Sequence, residues 1–202
     1  MRKRITKPPE TAPFGLAMGL SVRDRDACGI ALAMTSPFVF TASTVPRPRP
    51  DFNLYQVRIT PDSGLSRVKG MSPFIKTDAD GIALWTAFEA VEADLARVHG
   101  AGERIDEAAP ERSLSDGETW MASLVSEARV CGTRWPADGG DTLCQGLEAL
   151  YLVAKAINVK KGFLMLVDDF INRTAAEHEI ARWPFRIRQQ SRAGCRRPRD
   201  PS

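Results

Sequence analysis

Residues 54–71 read LYQVRITPDSGLSRVKGM, and this stretch decides the fold class. Tyr55, Val57 and Ile59 alternate with Gln56 and Arg58, the period of two that a half-buried strand requires. Pro61 presets φ for a turn, Asp62 and Ser63 cap it, and Gly64 accepts a positive φ without steric cost. The chain then alternates again from Leu65 to Met71, with Arg67 and Lys69 on one face. The stretch is a β-hairpin, and the question it raises is whether its basic rim is a site or a scaffold.

Reading outward, the next segment supplies a cover. In TDADGIALWTAFEAVEADLARVHG, the residues Leu84, Trp85, Phe88, Val91, Leu95 and Val98 recur at helical spacing, with Glu89, Glu92 and Asp94 off the stripe. Asp78 or Asp80 is expected to cap this helix and Gly100 to end it. Ser36–Thr44 (SPFVFTAST) is aromatic and β-branched and reads as one strand, followed by the extended Pro-rich connector VPRPRPDF. Ser21 with Asp24 reads as the start of a short helix that Gly29 stops. The acidic, proline-containing stretch from Ala101 to Ser113 reads as a linker. Ser115 with Glu118 resembles a capping box for a helix through Trp120, Met121, Leu124 and Val125. RVCGTRWP reads as a short strand. LEALYLVAKAI and GFLMLVDDF, joined by NVKKG, read as an antiparallel pair, the first being ambiguous with helix. Asn172 is expected to cap a last helix ended by Pro184. Together these give an α+β fold: an antiparallel sheet built from hairpins, with amphipathic helices packed on one face. The expected organisation is a disordered leader over 1–12, one domain over 13–185 and an Arg-rich tail over 186–202.

The 202 residues carry a net charge of +3, but the charge is segregated. Residues 1–7 hold four basic side chains and residues 182–202 hold seven arginines against Asp200, leaving the body near −7. An acidic body argues against a nucleic-acid-binding fold, because phosphate attraction supplies most non-specific affinity. The basic tail is the one place where weak nucleic-acid association is expected. No run approaches the ~18 apolar residues of a membrane span. Prolines and a glutamate follow the basic start where an apolar signal region would begin, so a cytoplasmic location is expected. Cys28, Cys131, Cys144 and Cys195 are widely spaced and are expected to stay reduced.

Most catalytic patterns fail on geometry. In an EF-hand register Gly81 is position 6, which puts Lys76 and Ala87 where two carboxylates are needed. His99 and His178 are the only histidines, and no nucleophile-elbow or zinc spacing accompanies them. His99 sits at a helix end where the dipole favours its charged form. The four tryptophans (85, 120, 135 and 183) fall at core positions, with a ligand cage as the alternative. No phosphate loop is present, and no cofactor or metal is expected. Asp168 and Asp169 are the one acid pair of interest. On a strand they face opposite ways, so a shared Mg²⁺ needs the strand to have ended; otherwise they are solvated charges or an arginine anchor.

The order of several motifs resembles a bacterial protein family. Its pattern is PFG-x-x-MG, a Pro-rich stretch, Y-x-V-x-I-x-P-x-x-GL, an amphipathic helix closing on Gly, W-M-x-x-L-x-x-E-x-R and KG(Y/F)L-x-L. Here these are Pro13–Gly19, Pro46–Pro50, Tyr55–Leu65, Leu84–Gly100, Trp120–Arg129 and Lys161–Leu166. The chain departs from it at WPADGGDTLCQG and in the Arg-rich C-terminus. The resemblance implies one soluble α+β domain over about residues 12–172, and no activity or site residues. The functional expectation is therefore a non-enzymatic protein-binding module, of inhibitor or immunity type. Its contact candidates are Arg58, Arg67 and Lys69, beside Gln56, and the bland reading is a solvated sheet face. The alternatives are a carboxylate/Mg²⁺ enzyme using Asp168 and Asp169, or nucleic-acid association through the tail.

Overall fold

A computed structural model of the chain describes residues 13–24, 30–108, 117–137 and 146–182. Their strands are β1 (Ala33–Ser36), β2 (Val39–Ala42), β3 (Leu54–Thr60), β4 (Gly64–Met71), β5 (Ile75–Lys76), β6 (Glu103–Ala108), β7 (Arg129–Pro136), β8 (Leu147–Asn158) and β9 (Lys161–Phe170). The helices are α1 (Ile82–His99), α2 (Trp120–Val125) and α3 (Arg173–Arg182). All nine strands join one antiparallel sheet in the order β1-β2-β3-β4-β9-β8-β7-β6, with β5 pairing to β9. The α+β architecture read from the hairpin is the one that forms. Short connections make β3–β4 and β8–β9 neighbours; the long-range β4–β9 pairing, Lys69 opposite Val167, joins the two halves.

Tyr55, Val57, Val68, Leu152, Leu164 and Leu166 are buried on one face of the sheet, as the alternation requires. α1 covers that face with Leu84, Phe88, Val91 and Leu95, each contributing roughly 1.5–3 kcal/mol on burial. It approaches closely at Gly162, where a Cβ atom would lie 2.5 Å from Leu84 Cδ2. Val98, the last residue of the apolar stripe, is exposed. Of the two aspartates before α1 it is Asp78 that serves the helix end, accepting from the Ile82 N–H at 3.0 Å, while Thr77 Oγ1 accepts from Ala83 N–H. Gly100 closes the helix by donating to the Ala96 carbonyl. No described helix is long and apolar enough to cross a membrane.

Several expectations change. Ser36–Thr44 is not one strand: Pro37 and Phe38 form the turn of a β1–β2 hairpin, with Phe38 at φ 64°. The stretch read as an acidic linker contains β6, whose Glu103, Asp106 and Arg104 are exposed edge-strand charges. The α2 cap is Thr119, whose hydroxyl accepts from Ala122 N–H at 3.3 Å. Ser115 lies outside the described residues, as do Gly29, Pro184, the leader and the basic tail. Asn172 stands at the start of α3 and its carbonyl accepts from Ala176 N–H at 3.0 Å, but its side chain does not cap the helix; Nδ2 donates to the carbonyls of Ser63 (2.8 Å) and Leu65 (3.0 Å) instead. Ser21 and Asp24 do pair, around a 3-10 turn at Val22–Asp24, with hydroxyl and backbone N–H both donating to the Asp24 carboxylate. These bonds hold the Asp24 carboxyl below its ordinary pKa. β8 resolves as strand because its alternate residues find a partner along all of β9.

The helices also divide. α1 and α2 lie on the core face, whereas α3 meets the opposite face at the hairpin's turn end, where Glu177 pairs with Arg58 and Arg173 with Asp169. Glu179 accepts from the N–H groups of Asp62 (2.9 Å) and Ser63 (3.1 Å). The turn is therefore clasped by α3 and, on its other side, by Gly19 and Leu20.

Candidate functional site

The hairpin rim is built by register. Arg58 pairs with Arg67 and Gln56 with Lys69, so all four side chains leave the sheet on the face that α1 does not cover. Strand β9 extends both rows, placing Asp169 beside Arg67 and Val167 beside Lys69. The Arg67 guanidinium meets Asp169 through two bonds, Nε to Oδ1 and Nη2 to Oδ2, the latter at 2.9 Å. That pairing raises the Arg67 pKa despite burial. Arg173 reaches Asp169 at 3.6 Å and Glu177 at 3.2 Å, and Arg58 reaches Glu177 at 3.5 Å. Arg58 thus holds α3 to the sheet through Glu177, whereas Arg67 ties β4 to β9 through Asp169, the carboxylate that Arg173 of α3 also reaches.

Lys69 differs. Burial pushes its ammonium pKa down, and Arg67 and Arg58 push it further. Asp169 opposes them. Among the described residues no carboxylate pairs with Lys69. A half-buried cation among like charges keeps more residual positive potential than a solvated one.

This division yields a stability prediction. Arg67→Ala is expected to cost roughly 2 kcal/mol, because it leaves the Asp169 carboxylate, 9% exposed, without its bidentate partner. Arg58→Ala should cost under about 1 kcal/mol, since Glu177 is 42% exposed and solvated. Urea unfolding midpoints of the two variants check the order.

Beyond the rim the same face carries an apolar row. Leu54 pairs with Met71, Met71 with Met165, Met165 with Val153, Val153 with Gly132 and Gly132 with Ile105. Leu54 is 42% and Ile105 37% exposed, and Met71, Met165 and Val153 are partly exposed between them. Among the described residues no helix lies over this row. Sequence reading missed it, because the register joining β4, β9, β8 and β7 is set across long separations.

Asp168 and Asp169 do not form a joint site. Strand pairing continues past them to Phe170, so the two side chains take opposite faces. Asp169 is the arginine anchor anticipated as one reading. Asp168 is not solvated: it is fully buried, level with Val68 and Leu150, and neither carboxylate oxygen has a hydrogen-bond partner. Burial drives its pKa well up, Asp169 adds to this, and Arg49 opposes it. No group of three potential metal ligands occurs among the described residues.

The remaining candidates are structural where they are described. Trp85 packs edge-on against Trp120 and receives the Arg104 guanidinium at 4.6 Å, so the pocket-forming face of the indole is filled by the chain itself. Trp135 is buried and donates to the Gly100 carbonyl. Cys131 is a buried free thiol whose pKa is pushed up to about 12 by burial and Asp106. The other three cysteines lie outside the described residues. His99 ends α1, and His178 lies on α3. A groove of about 830 Å³ between Val22 and the β1–β2 hairpin is lined by Leu32, Met34, Phe38, Phe40 and Ile59, with no carboxylate, imidazole or thiol.

The fold is thus a nine-stranded antiparallel sheet with one face packed under α1 and α2 and the other covered by α3 at a single corner, as far as the described residues reach. Comparison of the chain with protein-family models, curated proteins and solved structures gave no match.

Proposed function

We propose that this protein is a non-enzymatic binding module whose contact surface is the open face of the sheet, centred on Met71, Met165 and Lys69. The observation that carries the reading is the apolar row from Leu54 to Ile105 on that face. Contiguous exposed apolar surface bordered by polar side chains marks interaction sites, and Met, Tyr and Arg are enriched at interface centres. Tyr151 and Arg134 border the row here, cross-strand neighbours that hydrogen-bond to one another. An inhibitor or immunity-type role fits a module that acts by covering a partner's surface.

Introducing a charge into the row tests this. Met165→Glu places a carboxylate where the side chain is already partly solvated, so the fold should survive, as thermal unfolding would show. The partner recovered by the tagged wild-type protein from its native cell should then be lost. Recovery of the same proteins by Met165→Glu would count against the open face as the contact surface.

A further inference from the structure

We propose that the partner meets this face with an amphipathic helix whose apolar stripe is flanked by carboxylates, the carboxylates seating on Lys69 and Lys155. The inference rests on the open face being the contact surface and adds the chemistry of what covers it.

The apolar row runs across the strands. From β3 to β6 it spans five inter-strand gaps, or roughly 24 Å at about 4.8 Å each. A helix rising 1.5 Å per residue covers that length in about 16 residues, and its ~10 Å width covers one row together with the margins beside it. Same-face neighbours along a strand are about 7 Å apart. Lys69 stands one such step from Met71 on one side of the row, and Lys155 one step from Val153 on the other. The apolar row is therefore bracketed by two lysines, one at each margin.

Neither lysine has an ion-pairing carboxylate among the described residues, although the chain's body is acidic and its other rim cations are paired. Lys155 is near enough for its charge to act on Lys69, as are Arg67 and Arg58, with Asp169 offsetting part of their effect. Over β4, β9 and β8 the charge beside the apolar row is positive, which is complementary to an acidic, apolar-faced segment and repels a basic one. At the β6 end Ile105 is flanked by Glu103, which pairs with Arg134, and by the exposed Glu107, so the carboxylates of the partner helix belong at its Lys69–Lys155 portion. A second copy of this chain offers no such helix among its described residues: the apolar stripe of α1 is already buried against its own sheet.

Methionine methyl groups report the event directly. Of six methionines, Met71 and Met165 lie in the row and Met121 is buried in the core, where it serves as an internal reference. The full chain, labelled at its methionine methyls, would be titrated with an about 16-residue helical peptide. That peptide carries leucine along one stripe and glutamate on both flanks. Counterparts with glutamine or lysine in place of glutamate complete the set. The expected result is saturable movement of the Met71 and Met165 signals by the glutamate peptide, with Met121 still. Affinity should fall about tenfold for the glutamine peptide and vanish for the lysine peptide. Lys69→Glu with Lys155→Glu should reverse the preference, and Lys155→Glu alone should weaken it if the double variant does not fold. Equal response to all three peptides overturns the acidic helix while leaving the open face as a docking surface. No response to any peptide overturns both. Row signals that shift with protein concentration alone would assign the face to a second copy and overturn the proposal.

Discussion

Gly64→Ala is expected to destabilise the protein by roughly 3 kcal/mol or more, the largest loss from removing any one turn constraint described above. Gly64 has φ 67°, a conformation that costs an L residue about 1 kcal/mol or more. Space is the larger issue. A Cβ atom there would lie 2.4 Å from the Gly19 carbonyl oxygen and 2.5 Å from its carbon. Both are backbone atoms, which cannot rotate aside. The turn and the N-terminal segment would have to separate. Separation breaks the bonds from Gly19 N–H to the Leu65 carbonyl (2.9 Å) and from Leu65 N–H to the Leu20 carbonyl (2.8 Å), at about 1 kcal/mol each. Gly117 is the matched control: its φ is 77° and nothing lies within 4 Å of its Cβ position. Gly117→Ala should cost only the conformational part, about 1 kcal/mol. Denaturant midpoints measured for both would reject this account of the turn if the two losses were equal.

The second large effect is on pH dependence and comes from Asp168. Burial without a hydrogen-bond partner penalises the ionised form, so the folded-state pKa lies above the unfolded one. The sign follows. Below the unfolded pKa, about 4, the group is protonated in both states and imposes no penalty. As pH rises above 4 the unfolded chain ionises while the folded one does not, and stability falls by up to about 1.4 kcal/mol per pH unit until the folded pKa is reached. Asp168→Asn, which cannot ionise, should remove this slope. The wild type should therefore lose stability relative to the variant as pH is raised from 4 toward neutrality, a difference read from unfolding free energies at a series of pH values. A constant difference would mean that Asp168 ionises as readily in the folded protein as in the unfolded one.

These two residues show what the sequence made legible and what it did not. The hairpin was readable because its alternation and its turn residues are local, and α1 because its stripe is contiguous. Gly64 was readable as a turn residue, yet its contact with Gly19 requires the N-terminal segment to be in place. Asp168 was partly readable: it shares parity with Leu164, Leu166 and Phe170, all buried, so the alternation of β9 alone places it on the core side. That signal is outweighed in a sequence by the expectation that adjacent acids are solvated. β6 was obscured because an edge strand exposed along its whole length carries the charges of a linker, which blunt edge-to-edge pairing. The β1–β2 turn was obscured because Phe38, an aromatic, holds the positive φ that usually signals glycine.

The basic rim itself changed meaning. Arg58, Arg67 and Lys69 stood out in the sequence as one group, but only pairing with β9 and α3 separates them. Arg58 pairs with Glu177 of α3, and Arg67 is held within the sheet by Asp169. Lys69 remains as the member with charge to offer a partner, and its neighbours on the apolar row, Met71 and Met165, come from strands about 95 residues apart in sequence. Periodicity within one segment cannot report such a juxtaposition.

Site-specific photo-crosslinking in the native cell tests the central claim most directly. A photoreactive phenylalanine analogue would replace Met165 on the open face, or Ala90 on the exposed side of α1. The account predicts a discrete cross-linked adduct from position 165 and none from position 90. An adduct from position 90 with none from position 165 would contradict it.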